Sequence, residues 1–273
     1  MTVVEVVDET GTHQTLRHQV DRLLAQVAPL VHPATGLALP ERVVFRIVSP
    51  RTWQIQHRDM LRREFGQLGA QQPLRTLVPA VRKQAGARVS FRRHGTLLGE
   101  VTAAETLRRP RLRSETLLIP EGLEHIGVSF SEGHLIRVLA HEAVHQAQNL
   151  ASKHRFSWTR CRSSGTGEAV AVVEEGHARW ADRQITRQLL GAPVDPDTAP
   201  RSGHYLHVLR NEGIARLHTV LRARQETGCR LVEEAVRAVG TGRLNAVWTE
   251  RLLLPTPQER NDPPLWGARL GRL

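Results

Sequence analysis

Apolar residues recur at three- and four-residue spacing through "TLRHQVDRLLAQVAPL", residues 15–30, and predict a helix. "HPATGLALP" then reads as a loop, and "RVVFRIV", 42–48, as a strand. "SPRTWQIQHRDMLRREFGQ" opens on a Ser-Pro helix signal and continues helically to about residue 66. A further helix is expected over 72–85. The alternation in "ARVSFRRHG", 87–95, favours a strand, and "ETLLIPEG", 115–122, predicts another that ends at Pro120.

Helical periodicity dominates the second half. "SFSEGHLIRVLAHEAVHQAQNL" opens with Ser129 or Ser131 as a capping residue and predicts a long helix over about 132–151. Residues 152–167 read as a polar loop, and 168–191 as a second long helix stopped by Gly191. From 203 to about 238 the chain is expected to be mostly helical, "NAVWTERLL" to add a short helix, and "PTPQERNDPPLWGARLGRL" to be irregular. The pattern predicts an α+β protein with a small mixed or antiparallel sheet and a mainly helical C-terminal half. The expected division is a mixed portion over 1–110, a core over 111–255 and a tail over 256–273.

A chain of 273 residues suits one large domain, or a main domain with a smaller lobe. No stretch reaches the roughly 18 apolar residues of a membrane helix, and "MTVVEVVDETGTHQ" lacks the basic-then-apolar order of a secretory signal. A cytoplasmic protein is expected. Cys161 and Cys229 alone make neither a disulfide framework nor a cysteine-rich metal site. The net charge of +11 is almost all arginine, since Lys83 and Lys153 are the only lysines. The basic runs "FRRH" and "LRRPRLR" lack interleaved aromatics, and no zinc-finger spacing occurs. Nucleic acid is therefore not the expected partner.

The candidate chemistry lies in "HEAVH", 141–145. On a helix, residues four apart share a face, so His141 and His145 can grip one zinc ion. Glu142 is offset by about 100° around the axis. It is poorly placed as a ligand and well placed as a general base toward water at the metal. In a chain with 14 histidines the alternative is a coincidental match. The apolar stripe of Leu135, Val138, Leu139 and Val144 argues against it, because a half-buried histidine pair needs a polar partner. The metzincin continuation is absent: Gln148 and Ala151 stand where its glycine and third ligand belong.

A third ligand is offered by "VVEEGHARWAD", 172–182. HExxH followed by a helix with Glu-Gly-x-Ala resembles the gluzincin zinc metallopeptidases, including their aminopeptidase group. The resemblance spans about 132–190 and says little of 1–110. It places Glu175 on the ligand glutamate, Gly176 on the glycine and Ala178 on the alanine, with Glu174 where the aminopeptidases carry asparagine. The 29 residues between His145 and Glu175 exceed the aminopeptidase spacing. Two other glutamates stay open as ligands: Glu174, and Glu212 in "NEGIA", 211–215, which spells the short signature more literally.

The same resemblance implies a downstream tyrosine or histidine steadying the oxyanion, which assigns that role to Tyr205, the single tyrosine, with His204 and His207 as alternatives. It also implies a strand at the lip of the cleft, for which 113–122 is the candidate. The expected activity is zinc-dependent peptide-bond hydrolysis, with a peptide or protein as substrate. No acidic segment for binding a free N-terminus is evident, so an endopeptidase or a narrow processing peptidase is expected. The alternatives are a zinc hydrolase of a non-peptide substrate and a non-enzymatic basic binding module with a degenerate metal site.

Overall fold

The computed structural model describes residues 2–69, 95, 97–109, 113–153 and 166–272. The expected helix at 72–85, nearly all of the strand at 87–95, most of the loop at 152–167, and Cys161 lie outside them.

Strand β1 (Val3–Asp8) leads into helix α1 (Gln14–Thr35), which crosses back so that β2 (Arg42–Ile47) runs parallel to β1, Val3 opposite Arg42. Helix α1 outruns the expected boundary and includes Pro33 of the supposed loop. It stops at Gly36, whose left-handed backbone donates its N–H to the His32 carbonyl. Helix α2 (Pro50–Gly69) follows, then strands β3 (Ala104–Arg109) and β4 (Arg113–Leu118). β4 is parallel to β2 and antiparallel to β3, with Thr106 opposite Thr116. Among the described residues these make one mixed sheet of order β1-β2-β4-β3. It joins strands from both sides of residue 110.

The sheet is covered on both faces. Phe45, Ile47 and Leu118 point into the main core, where α1 and the long helices pack. Leu107, Leu117 and Ile119 point the other way, against Trp53 of α2. Neighbouring residues on a strand face opposite sides, which is why Leu117 and Leu118 serve different cores.

After β4 the chain does not remain extended to residue 122. Pro120 begins a short helix, α3 (Pro120–His125), as its fixed φ and missing N–H suit a first helical position. Helix α4 (Glu132–Ala151) is capped by Ser131, and α5 (Gly167–Leu190) is stopped by left-handed Gly191. Helices α6 (Gly203–Val208) and α7 (Glu212–Leu244) follow, the latter interrupted at Gly240. "NAVWTERLL" forms two 3-10 turns, Asn245–Trp248 and Arg251–Leu253, in place of the expected helix.

The tail is not irregular. It forms α8 (Pro257–Asn261) and α9 (Pro263–Arg272), and Trp266 is fully buried, its indole N–H donated to the Leu253 carbonyl at 2.8 Å. Helix α4 lies between the sheet and α5, and α7 packs on α5 and α9. No helix among the described residues is long and apolar enough to cross a membrane.

Candidate metal centre

Two faces of α4 do different things. Each residue turns about 100° around a helix, so positions four apart realign while their neighbours diverge. Glu142 and Gln146 face the sheet: the Thr106 hydroxyl donates to Glu142 Oε2 at 2.6 Å, and Gln146 Nε2 donates to Thr116 Oγ1 at 3.0 Å. His141 and His145 instead face Glu175 on α5.

The imidazoles of His141 and His145 meet Nε2 to Nε2 at 3.2 Å. Glu175 completes the group, with Oε2 3.6 Å from His141 Nε2 and Oε1 3.9 Å from His145 Nε2. One donor atom from each of the three lies within 4.8 Å of the others. Two donors on a tetrahedral zinc, each at about 2.0–2.1 Å, stand about 3.3 Å apart. The donor set fits such an ion.

The remote nitrogens have partners that set the tautomers. His141 Nδ1 lies 3.2 Å from Asp182 Oδ2, and Asp182 is fully buried. A proton donated there leaves the Nε2 lone pair for a metal. His145 Nδ1 lies 2.7 Å from Gln148 Oε1. The Gln148 amide is oriented by its other end, which donates to the Glu174 carbonyl at 2.9 Å and lies 3.1 Å from His177 Nδ1. Its oxygen therefore faces His145, which must donate from Nδ1.

Burial disfavours a charged His141, but the hydrogen bonds to Asp182 and Glu175 outweigh it and raise its pKa to about 9. Burial likewise disfavours an ionised Glu175, yet the two histidines and Gln225 bring it to about 2. Burial, with the nearby charge of His145, holds His177 down to about 3, so it stays neutral.

Gly176 explains how α5 and α7 come together. A Cβ on Gly176 would stand 2.0 Å from the backbone of Gly228, and one on Gly228 would stand 1.9 Å from the Val172 carbonyl. The two bare positions let the helices touch, and Gln225, one turn before Gly228, then donates to Glu175 Oε2 at 2.9 Å. The other two glutamates go elsewhere. Glu174 pairs with Arg108 at 2.5 Å. Glu212 is exposed at the start of α7, where Asn211 caps the helix by accepting from the Gly213 and Ile214 amides. "NEG" at 211–213 is thus a helix start.

His141 and Glu142 line a cavity of about 730 Å³ that Tyr205 and His218 also line. Tyr205 Oη lies 2.9 Å from His218 Nε2. Burial raises the phenol pKa and lowers that of His218, so both stay uncharged. His204 is exposed and pairs with Glu100 at 3.0 Å, and His207 is exposed. β4 lies inside the sheet, paired on both sides over Thr116–Leu118, and the chain turns helical at Pro120, which removes 113–122 as the lip. β3 occupies the sheet edge, and Ala104 at its start lines the cavity with Thr102 and Ala103.

No family model matches the sequence, and no curated protein matches it. One solved structure is similar: a protein from Chloroflexus aurantiacus, provisionally described as a hydrolase with a novel fold. The TM-score is 0.55 at 16% identity, over 96% of this chain and 92% of that one. At that identity the likeness is one of fold.

Proposed function

We propose that the chain is a zinc-dependent hydrolase of peptide bonds, a divergent gluzincin-type protein with a zincin-like core, acting as an endopeptidase or narrow processing peptidase. The observation that carries this reading is the meeting of His141, His145 and Glu175 beside an acid, Glu142, that lines the same cavity as His141 and is held by Thr106. Among the described residues three protein donors meet, the count of a catalytic rather than a closed structural zinc site, which supports the enzyme over a degenerate binding module. The hydrolase description of the similar Chloroflexus protein agrees with it.

His141, His145 and Glu175 would hold the ion. Zinc supplies a lowered pKa for water and polarisation of a carbonyl. Glu142, fixed by Thr106, accepts the proton of the attacking water and returns it to the departing amine. Tyr205, kept protonated, donates toward the oxyanion; when His218 donates to the phenol oxygen, the phenol O–H is free to point into the cavity. The edge of β3 pairs with an extended substrate main chain. The partner is a peptide or protein rather than nucleic acid, and the setting is cytoplasmic.

The test is cleavage of a peptide library by the zinc-loaded chain and by Glu142→Gln. Turnover should fall by about 10²–10⁴ in the variant while zinc content is unchanged. Equal cleavage by both proteins would refute the assignment.

A further inference from the structure

We propose that the cavity beside the metal centre binds a carboxylate of the substrate, held by Arg137, Arg179, Arg183 and Arg201. The proposal rests on the peptidase reading and narrows its substrate class. All four arginines line the cavity that His141 and Glu142 also line. Arg137 lies one turn before His141 on α4, and Arg179 and Arg183 lie one and two turns after Glu175 on α5. Arg201 arrives from the segment before α6.

Their charge is under-compensated. Asp182 is the acid within ion-pair reach of two of them, with Arg179 at 3.1 Å and Arg137 at 3.8 Å, and it also receives His141 at 3.2 Å. The same cavity is lined by Glu142, whose charge also acts on Arg137, and by Asp195, Asp197 and Glu226. Arg137 Nε is buried without a hydrogen-bond partner. Among the described residues Arg183 reaches only the Cys229 sulfur, at 3.9 Å, and Arg201 donates to the Ile126 and Pro196 carbonyls while lying over the Tyr205 ring. Among the described residues no carboxylate stands within ion-pair distance of Arg183 or Arg201. Arg222, on the same cavity, shows the usual arrangement, paired with both Asp197 and Glu226. Burial, with the charges of Arg179 and Arg201, makes Arg137 a weaker base than a free guanidinium.

Clustered cations in a recess are costly unless an anion joins them. A guanidinium fork matches a planar carboxylate in geometry as well as charge. Because the recess opens beside Glu142, the anion belongs to the molecule being cut. It is either the C-terminal carboxylate or an Asp or Glu side chain near the scissile bond.

The experiment uses the zinc-loaded full chain carrying Glu142→Gln, which binds without turning over. Calorimetry compares N-acetyl-trialanine acid, its C-terminal amide, and the amide with a central glutamate. We expect one carboxylate probe to bind at least tenfold tighter than the neutral amide. The preference for the free acid marks a terminal carboxylate, and that for the glutamate probe a side chain. Adding Arg183→Gln should cut the preference at least threefold with zinc content unchanged; Arg137→Gln is the second variant if the first melts early. Equal binding of all three probes overturns the carboxylate site. So does tighter binding of a phosphoserine counterpart than of either carboxylate. If the carboxylate preference holds while the active chain cleaves no peptide, the peptidase reading fails and the anion site stands.

Discussion

Asp182 decides which nitrogen of His141 turns toward Glu175. Its buried carboxylate takes the Nδ1 proton and so leaves Nε2 as the donor atom. Asp182→Asn keeps the shape and can still accept from Nδ1, but it removes the charge that makes the imidazole a strong ligand. Zinc affinity should fall by about 10–100-fold, read by competition with a chromophoric chelator, with the far-ultraviolet circular dichroism unchanged. Wild-type affinity in the variant would show that Asp182 does not tune the metal. The aspartate was within reach of sequence reasoning: it stands two turns past Glu175, hence on the same face of α5. Thr106 was not, because it comes from another element and nothing local to residue 106 says that Glu142 will lie beneath it. His218 was hidden in the same way, since its pairing with Tyr205 depends on how α6 meets α7.

Between elements, the decisive contact is the crossing of α5 and α7 at Gly176 and Gly228. Gly176 was legible as part of Glu-Gly-x-Ala, but its physical reason, a second glycine 52 positions later, was not. Gly228→Ala sets a methyl carbon against the Val172 carbonyl. The helices must separate, at a cost of about 3 kcal/mol, and Gln225 leaves Glu175. A lowered melting temperature together with weaker zinc retention is expected; a variant as stable as the parent would mean that the crossing is loose.

Strand β1 was overlooked although its Val-rich run points to a strand; β3 and the tail helices were hidden by local patterns that mislead. β3 buries only Leu107 fully, and its polar positions are engaged in contacts such as Glu105 with Trp53 and His57, or Arg108 with Asn149, so no apolar alternation marks it. The prolines of the tail look like breakers, yet Pro257 and Pro263 begin helices. Trp266→Ala should cost about 3–5 kcal/mol, seen as a shifted urea midpoint, whereas an irregular surface tail would tolerate it.

For the whole molecule, the proposed zinc would compete with a proton for one place, and this would set how stability varies with pH. In the metal-free fold His141 has its pKa raised from 6.5 to about 9. A raised native pKa stabilises the fold fully below the unfolded value, and that contribution is lost as pH climbs through about 9. Glu175, brought from 4.5 to about 2, contributes fully above its unfolded value and loses that contribution as pH falls from 4.5 through about 2, so it is constant near neutrality. Zinc held as proposed would displace the His141 proton, so its apparent affinity should rise about tenfold, or about 1.4 kcal/mol, per pH unit below the native pKa. Stabilisation by a fixed excess of zinc follows that affinity. The gap in melting temperature between zinc-loaded and zinc-free protein should therefore widen from pH 6.5 to 9 and then level off. In His141→Ala the gap should collapse across the whole range. A gap that stays constant with pH in the parent chain would mean that the ion binds elsewhere, because a site formed by His141, His145 and Glu175 cannot take a divalent cation at neutral pH without releasing that proton.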